Sequence, residues 1–323
     1  MAKTTVVIPN YNGISYLEDC FNFLRRSQKT EFDTIMVDNG STDASVAFVK
    51  ERFPWVKVIE LTENTGFSHA VNVGIREAVT PYVLLLNNDT VTEHDFVFRM
   101  EQAMEEHPEY FSFSSKMLCM KQPEVIDDAG DYYCAFGWAF ARGKGKEATR
   151  FTAAGDVFAA CAGAAIYRRE VFSQIGYFDV LHFAYLEDID IGYRARLRGY
   201  KNGYCPQAVV YHAGSGFSGS RYNEFKINLS AQNSVYLIAK NMPLLQILLN
   251  APFLVAGFLI KMLFFAKKGF GRVYIRGLGR GIRLSLSPKG RRQKFPFRFR
   301  YISCYCRVQL ELWLNLFRRL TEG

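Results

Sequence analysis

Cysteines are few in this chain and none is paired by spacing. Seven are scattered along it, none in a Cys-x-x-Cys arrangement, and only Cys304 and Cys306 stand close together. That argues against a disulfide framework and against a clustered zinc site, and it fits a reducing compartment. Cys304 and Cys306 read as ordinary apolar residues, with palmitoylation the lesser alternative. Internal repeats and low-complexity tracts are also missing. The opening MAKTTVVIPNYNG has an apolar run too short for a signal peptide, so no secretory leader is expected there. Two glycine-rich stretches lack what a phosphate loop requires. Gly143-Lys144-Gly145-Lys146 has the wrong spacing for a Walker loop, and Gly277-Leu278-Gly279-Arg280-Gly281 has no strand before it.

What the chain does have is apolar bulk and, towards its end, positive charge. Hydrophobic residues make up 49% of 323, enough for one large domain plus an appendage. The net charge is +9, yet residues 261–323 alone hold 16 Lys and Arg against 2 Asp and Glu. The body is therefore mildly acidic and the tail strongly basic. Such a tail suits an anionic surface, either nucleic acid or the headgroups of a cytoplasmic leaflet.

The first half alternates short apolar runs with helical patterns. Strands are predicted at 4–8, 33–37, 56–61 and 82–86, and helices near 15–26, 43–51, 68–78 and 93–106. This alternation predicts parallel pairing in a doubly wound α/β sheet. Ligands of such sheets sit beyond the C-terminal strand ends. Three polar clusters fall at that edge: Pro9-Asn10-Tyr11-Asn12, Asp38-Asn39-Gly40-Ser41 and Asn87-Asn88-Asp89. From about residue 110 the pattern changes. Strands are predicted at 111–118 and 157–167, helices at 187–198 and 225–240, a long apolar stretch at 244–266, and then the basic tail.

Each cluster has a plain structural reading beside a chemical one. Asp38 ends a strand and opens a turn; it is also placed to accept hydrogen bonds from a base or ribose. Asn64-Thr65-Gly66 precedes a helix carrying Asn72; a helix N-terminus suits a diphosphate, while Asn64 is also a common turn former. Asp89 follows the most apolar strand with no Lys or Arg near it in sequence, so its carboxylate calls for a cation, and Mg²⁺ commonly takes such a ligand together with substrate phosphates. Glu187, Asp188 and Asp190 open a helix. Three acids there are favoured by the helix dipole alone; the chemical reading is a general base. His212 precedes Gly214-Ser215-Gly216 and is placed to ligate a metal beside a loop whose N–H groups, Ser215 included, hold phosphate.

The order of these motifs is more specific than any one of them. VVIPNYNG, VDNGSTD, ENTGFSHAVNVGI, LLLNNDT, GAAIYRREVFSQIGYFDVLHFAYLEDIDIGYRARLRGY and VVYHAGS resemble family 2 glycosyltransferases over about residues 4–240, closest to the branch with bacterial rhamnosyltransferases. The resemblance implies the GT-A fold, a doubly wound and mostly parallel sheet, with residues 1–240 catalytic (1–109 for the nucleotide, 110–240 for the acceptor) and 241–323 a helical, membrane-associating extension. It implies a nucleoside-diphosphate sugar donor, dTDP-rhamnose or a UDP-hexose, and inversion at the anomeric carbon. Pro9, Asn10, Tyr11 and Asp38 would line the nucleotide pocket, and Asn64, Gly66, Asn72, Asn87 and Asn88 would flank the donor. Asn87-Asn88-Asp89 stands where the family has its metal-binding Asp-x-Asp. Since Asn87 replaces the first acid, Asp89 and His212 become the expected ligands of Mg²⁺ or Mn²⁺. Asp188 matches the catalytic base, with Glu187 beside it. No Arg-Trp pair of the processive synthases occurs, so transfer of a single sugar is expected.

The chemistry asks for little more. An acceptor hydroxyl needs a positioned carboxylate to take its proton. A nucleoside diphosphate leaves as an anion, so a metal can neutralise it. Two other classes compete. A nucleotidyltransferase would show a basic, glycine-rich loop after the first strand, but no Lys or Arg stands between Asn10 and Arg25. A non-catalytic sugar- or lipid-binding relic is suggested by Asn87 and opposed by Glu187-Asp188 and His212.

The stretch at 244–266 would span about 34 Å as a helix, long enough to cross a bilayer. Yet Gln246, Asn250, Gly257 and Lys261 fall on one stripe. Nucleotide sugars are cytosolic and basic tails stay inside, so one crossing cannot serve both flanks. The expectation is a helix lying in the inner face of the membrane or a re-entrant hairpin. The basic tail, helped by an amphipathic stretch at 302–320, would hold anionic headgroups. The partners expected are thus the donor, a glycan or lipid-linked glycan and an anionic membrane, with no nucleic acid and with oligomers left open. The alternative is a helical appendage packed on the catalytic domain or on a second subunit.

Overall fold

The computed structural model describes residues 1–27, 29–214 and 222–323. Its first half alternates strictly: β1 (Thr4–Asn10), α1 (Ile14–Arg25), β2 (Phe32–Asp38), α2 (Ser45–Arg52), β3 (Lys57–Glu60), α3 (Phe67–Glu77), β4 (Tyr82–Leu86). The strands read as unbroken apolar runs because both faces of the sheet are covered. Val6, Ile8, Leu84 and Leu86 pack into one cluster with α1, while Val7, Val83 and Leu85 pack into another with α3.

Then come β5 (Thr90–Thr92), α4 (Phe96–Glu106), β6 (Tyr110–Cys119), β7 (Gln122–Asp128), β8 (Asp131–Cys134), β9 (Trp138–Ala141), β10 (Gly155–Val157), β11 (Ala164–Arg168), α5 (Phe172–Ile175), α6 (Glu187–Arg196) and β12 (Lys201–His212). Among the described residues the main sheet runs β10-β12-β6-β11-β4-β1-β2-β3, with β5 on β12 and β7 on β6. Following the pairings along this path, only β10 and β11 oppose the direction shared by the other six. β12 therefore ends, at His212, on the same edge as β1, β2 and β4.

Two sequence expectations need correction. The strand expected over 157–167 is two strands of different neighbours, because the chain turns at Cys161-Ala162-Gly163, where the Gly163 carbonyl accepts from Asn87 N at 2.8 Å. The helix expected from 93 starts at Phe96, since Thr90–Thr92 is drawn into the sheet by β12. The glycine-rich stretch at 277–281, set aside for want of a preceding strand, lies within a helix whose Gly277 and Gly281 are buried against the helix Glu224–Asn241.

The C-terminal part is helical: α7 (Glu224–Asn241), α8 (Leu244–Lys267), α9 (Gly271–Leu286), α10 (Pro288–Arg292) and α11 (Ile302–Thr321). The boundary read at 240/241 falls at the end of α7. Leu254, Tyr305, Val308 and Leu312 share one buried cluster with Tyr133, Phe158, Tyr193 and Leu237, so the tail packs on residues 110–240 through a common core. All seven cysteines are free.

Candidate active site

The C-terminal ends of β1, β2 and β4 collect the polar residues. Asn10 lies opposite Asp38 in the parallel register, and its Nδ2 donates to Asp38 Oδ1 at 2.8 Å. Asn88 Nδ2 donates to Asn10 Oδ1 at 2.7 Å. Ser41 donates both its N–H and its hydroxyl to Asp38. Asn10, Asp38 and Asn88 are thus one hydrogen-bonded chain across three strand ends. Pro9 is half-buried in β1 opposite Val37, and Tyr11 follows on the same edge.

The Asn64-Gly66 loop is tied to that chain. Asn39 donates to Asn64 Oδ1 at 3.0 Å and to the Gly66 carbonyl at 3.3 Å. Gly66 has φ +86°, and a Cβ there would lie 2.6 Å from the Phe183 ring. Only glycine meets both conditions at once. Asn72 is placed differently from the rest. It is 1% exposed, and its amide is engaged both ways by the Phe178 main chain at 2.7 and 3.0 Å. It ties α3 to the segment before α6.

Asp89 and His212 meet across β5 and β12. His212 Nε2 lies 3.3 Å from Asp89 Oδ1, and Nδ1 lies 2.7 Å from Asp127 Oδ2. Burial alone would lower the imidazole, but its bonds to Asp127 and Asp89 outweigh that and hold it up, at about 9. Asp127, opposed by burial but paired with His212 and Lys144, sits below the usual carboxylate range. An oxygen and a nitrogen 3.3 Å apart would serve a divalent ion that accepts O and N ligands once the imidazole gives up its Nε2 proton, which metal binding displaces. Ser215 lies outside the described residues.

The three acids opening α6 divide by environment. Asp190 is fully buried and meets Arg194 at 2.7 and 3.0 Å, Lys240 at 2.8 Å and Asn241 at 2.8 Å. Burial opposes its charge, yet the Arg194 and Lys240 cations hold it far below the usual range. It anchors the helix. Among the described residues, Glu187 and Asp188 show no such cation. Burial first and the neighbouring Asp188 second push Glu187 up to about 8, and burial raises Asp188. Asp188 accepts from the Ala162 backbone, in the turn whose Gly163 holds Asn87.

Sequence reasoning missed two parts of this site. The first is the acidic turn Asp127-Asp128-Ala129-Gly130-Asp131. Asp127 supports His212, while Asp131 hydrogen-bonds Asp188. Carboxylate and thiol ligand atoms of Asp128, Asp131 and Cys161 lie within 4.8 Å of one another. Burial, together with neighbouring acids, lifts Asp128 to about 7 and also raises Asp131 well above the usual carboxylate range. Three acids in five residues at a strand end were the available signal. The second is the loop before α6, where Phe183, Tyr185 and Leu186 all have positive φ. Asn233 of α7 holds it, donating to the carbonyls of His182, Ala184 and Tyr185 at 2.8, 2.9 and 2.8 Å. A cleft of about 480 Å³, lined in part by Phe183, Phe225, Leu229 and Arg280, opens between this loop and α9.

This strand order, with polar loops gathered on one edge, is the GT-A fold. Residues 5–176 match the profile of glycosyl transferase family 2, and the chain belongs to that family. Among curated relatives it is 30% identical over 107 residues to a teichoic acid poly(glycerol phosphate) polymerase of Staphylococcus epidermidis, a match covering 32% of this chain and 15% of that one. It is 22% identical over 211 residues to the poly-beta-1,6-N-acetyl-D-glucosamine synthase of Staphylococcus aureus, covering 64% of this chain and 49% of that one. The chain thus spans half or less of these relatives. Among solved structures, S. aureus TarS 1-349 in complex with UDP-GlcNAc superimposes with a TM-score of 0.59 at 17% identity, covering 90% of this chain and 83% of the other. The mannosyltransferase PcManGT of Pyrobaculum calidifontis, in complex with GDP-Man and Mn2+, gives 0.54 at 19% identity over 95% and 87%.

Proposed function

We propose that this protein transfers a single sugar, with inversion, from a nucleoside-diphosphate sugar to a hydroxyl of a lipid-linked glycan in cell-surface polysaccharide synthesis. One observation carries the reading. Glu187 and Asp188, two acids with no cation beside them among the described residues, lie one turn of chain from the edge where Asp38, Asn10 and Asn88 and the Asp89–His212 pair collect.

Asp38, Asn10 and Asn88 hold the nucleoside, and the Asn64-Gly66 loop flanks the sugar. Asp188 takes the acceptor proton as the acceptor oxygen bonds the anomeric carbon and the bond to the diphosphate breaks. Glu187, protonated near neutral pH, keeps a second negative charge away from that base. Asp89 and His212 would hold Mg²⁺ or Mn²⁺, which neutralises charge on the departing diphosphate. The Mn2+ in the PcManGT complex supports a divalent ion, and UDP-GlcNAc and GDP-Man in the two neighbours support a nucleoside-diphosphate donor. Between dTDP-rhamnose and a UDP-hexose neither neighbour decides. The cleft from Phe183 to Arg280 supports an acceptor bearing an apolar part and a phosphate, met at the cytoplasmic face of a membrane.

The test is release of nucleoside diphosphate from a panel of nucleotide sugars, with and without chelator. One donor should be consumed, and chelator should stop it. Asp188→Asn should lose about 100-fold or more in turnover with donor affinity within a few-fold. Glu187→Gln should keep measurable turnover. A dead Glu187→Gln beside an active Asp188→Asn would reverse the assignment, and no turnover of any donor would favour the relic.

A further inference from the structure

α8 is inside out for a helix in water. Its polar stripe faces the protein. Gln246 Oε1 accepts from Tyr193 Oη at 2.7 Å, and Asn250 bonds Gln309 at 2.8 and 2.9 Å and accepts from Trp313 Nε1 at 3.0 Å. The Gly257 carbonyl accepts from Trp138 Nε1 at 3.2 Å, and a Cβ at Gly257 would lie 2.3 Å from the Phe136 carbonyl. The opposite face carries Leu245, Leu248, Val255, Leu259 and Leu263, each about half exposed or more. Only 17% of the most apolar window of this helix is buried, although it is long and apolar enough to cross a membrane.

We infer that this outer face of α8 docks flat into the surface of an anionic bilayer, as an in-plane helix that does not cross it. The contacts at Gln246, Asn250 and Gly257 recur over successive turns, so the helix is fastened lengthwise to a water-soluble domain. Standing it upright in lipid would break every one of those bonds or bury the domain's polar surface. The partner chemistry follows from the charge around it. The two acids of residues 261–323 are both engaged within the protein, Glu311 with Arg196 and Glu322 with Arg142. α9, packed beside α8, presents Ile275 and Ile282 together with exposed Arg272, Arg276 and Arg283. Apolar side chains flanked by unopposed cations fit an acyl boundary below anionic headgroups. A second copy of this chain would bring the same cations against each other.

The inference deepens the membrane placement proposed above and needs no sugar transfer, so it is tested without turnover. The full chain should float with vesicles of equimolar phosphatidylcholine and phosphatidylglycerol, and less with phosphatidylcholine alone. Leu248→Ser, Val255→Ser and Leu263→Ser combined should lower partitioning by at least about tenfold. Their circular dichroism and melting should stay as in the parent, because these side chains touch solvent. A dye on Leu245→Cys or Leu263→Cys, each in a chain whose accessible Cys119, Cys161, Cys304 and Cys306 are replaced by Ser, should report equal depth. A variant that floats like the parent, a depth that grows along the helix, or a parent dimer that the triple variant splits without any vesicle binding would each overturn the inference.

Discussion

His212 donates its Nδ1 proton to the Asp127 carboxylate at 2.7 Å, and this aims Nε2 at Asp89, 3.3 Å away. A ring held by one nitrogen presents the other at a set angle, the arrangement by which a carboxylate orients an imidazole metal ligand.

Asp127→Ala should therefore raise the Mn²⁺ concentration for half-activation by about 10–100-fold, with a smaller loss at saturating metal. A metal titration of nucleoside diphosphate release measures it. An unchanged half-activation point would leave Asp127 a surface partner of Lys144 and no more.

Asn233→Leu keeps the volume and removes the one amide that serves three loop carbonyls. Buried acceptors left without donors, in a loop with three positive-φ residues, should cost about 2–4 kcal/mol of unfolding free energy. Urea unfolding reads this. Turnover should fall further than donor affinity, since the loop leads into Glu187-Asp188.

Lys240 lies between two buried carboxylates, 2.8 Å from Asp179 and 2.8 Å from Asp190. Lys240→Met leaves Asp179 with the Tyr236 hydroxyl and the Leu181 N–H, neither of them a cation, and strips a cation from Asp190, at a cost of about 3–5 kcal/mol. Loss of less than about 1 kcal/mol in the same urea experiment would mean that Arg194 alone suffices.

Stability should fall as pH rises, by way of Glu187. Burial raises its folded pKa to about 8 from an ordinary 4.5, so the folded state holds the proton more tightly than the unfolded chain. That contribution is complete below the unfolded value and is lost as pH climbs through about 8. Glu187→Gln removes it. The variant should gain on the parent in urea midpoint between pH 5.5 and 8.5. A constant difference across that range would show that Glu187 titrates normally.

Much of this fold was legible because its signals are local. Strand 82–86 was read to the residue, since an apolar run between two polar turns has only one way to sit in a covered sheet. The strand-end clusters at Asn10, Asp38 and Asn88 followed from alternation alone, because parallel strands send their C-terminal ends to one edge. The polar stripe of α8 was likewise set by helical spacing. The rest depended on contacts between distant parts of the chain. Whether Glu187, Asp188 or Asp190 is held ionised turns on Lys240 and Arg194, and Lys240 is 50 residues beyond Asp190. Asn72, expected beside the donor, also binds the main chain of Phe178, 106 residues on, with both ends of its amide. Asp127 gained meaning only when β7 and β12, both paired with β6, brought it to His212. Spacing in sequence determines which face a residue shares, but a buried charge is settled by whichever partner the tertiary fold brings within about 3 Å.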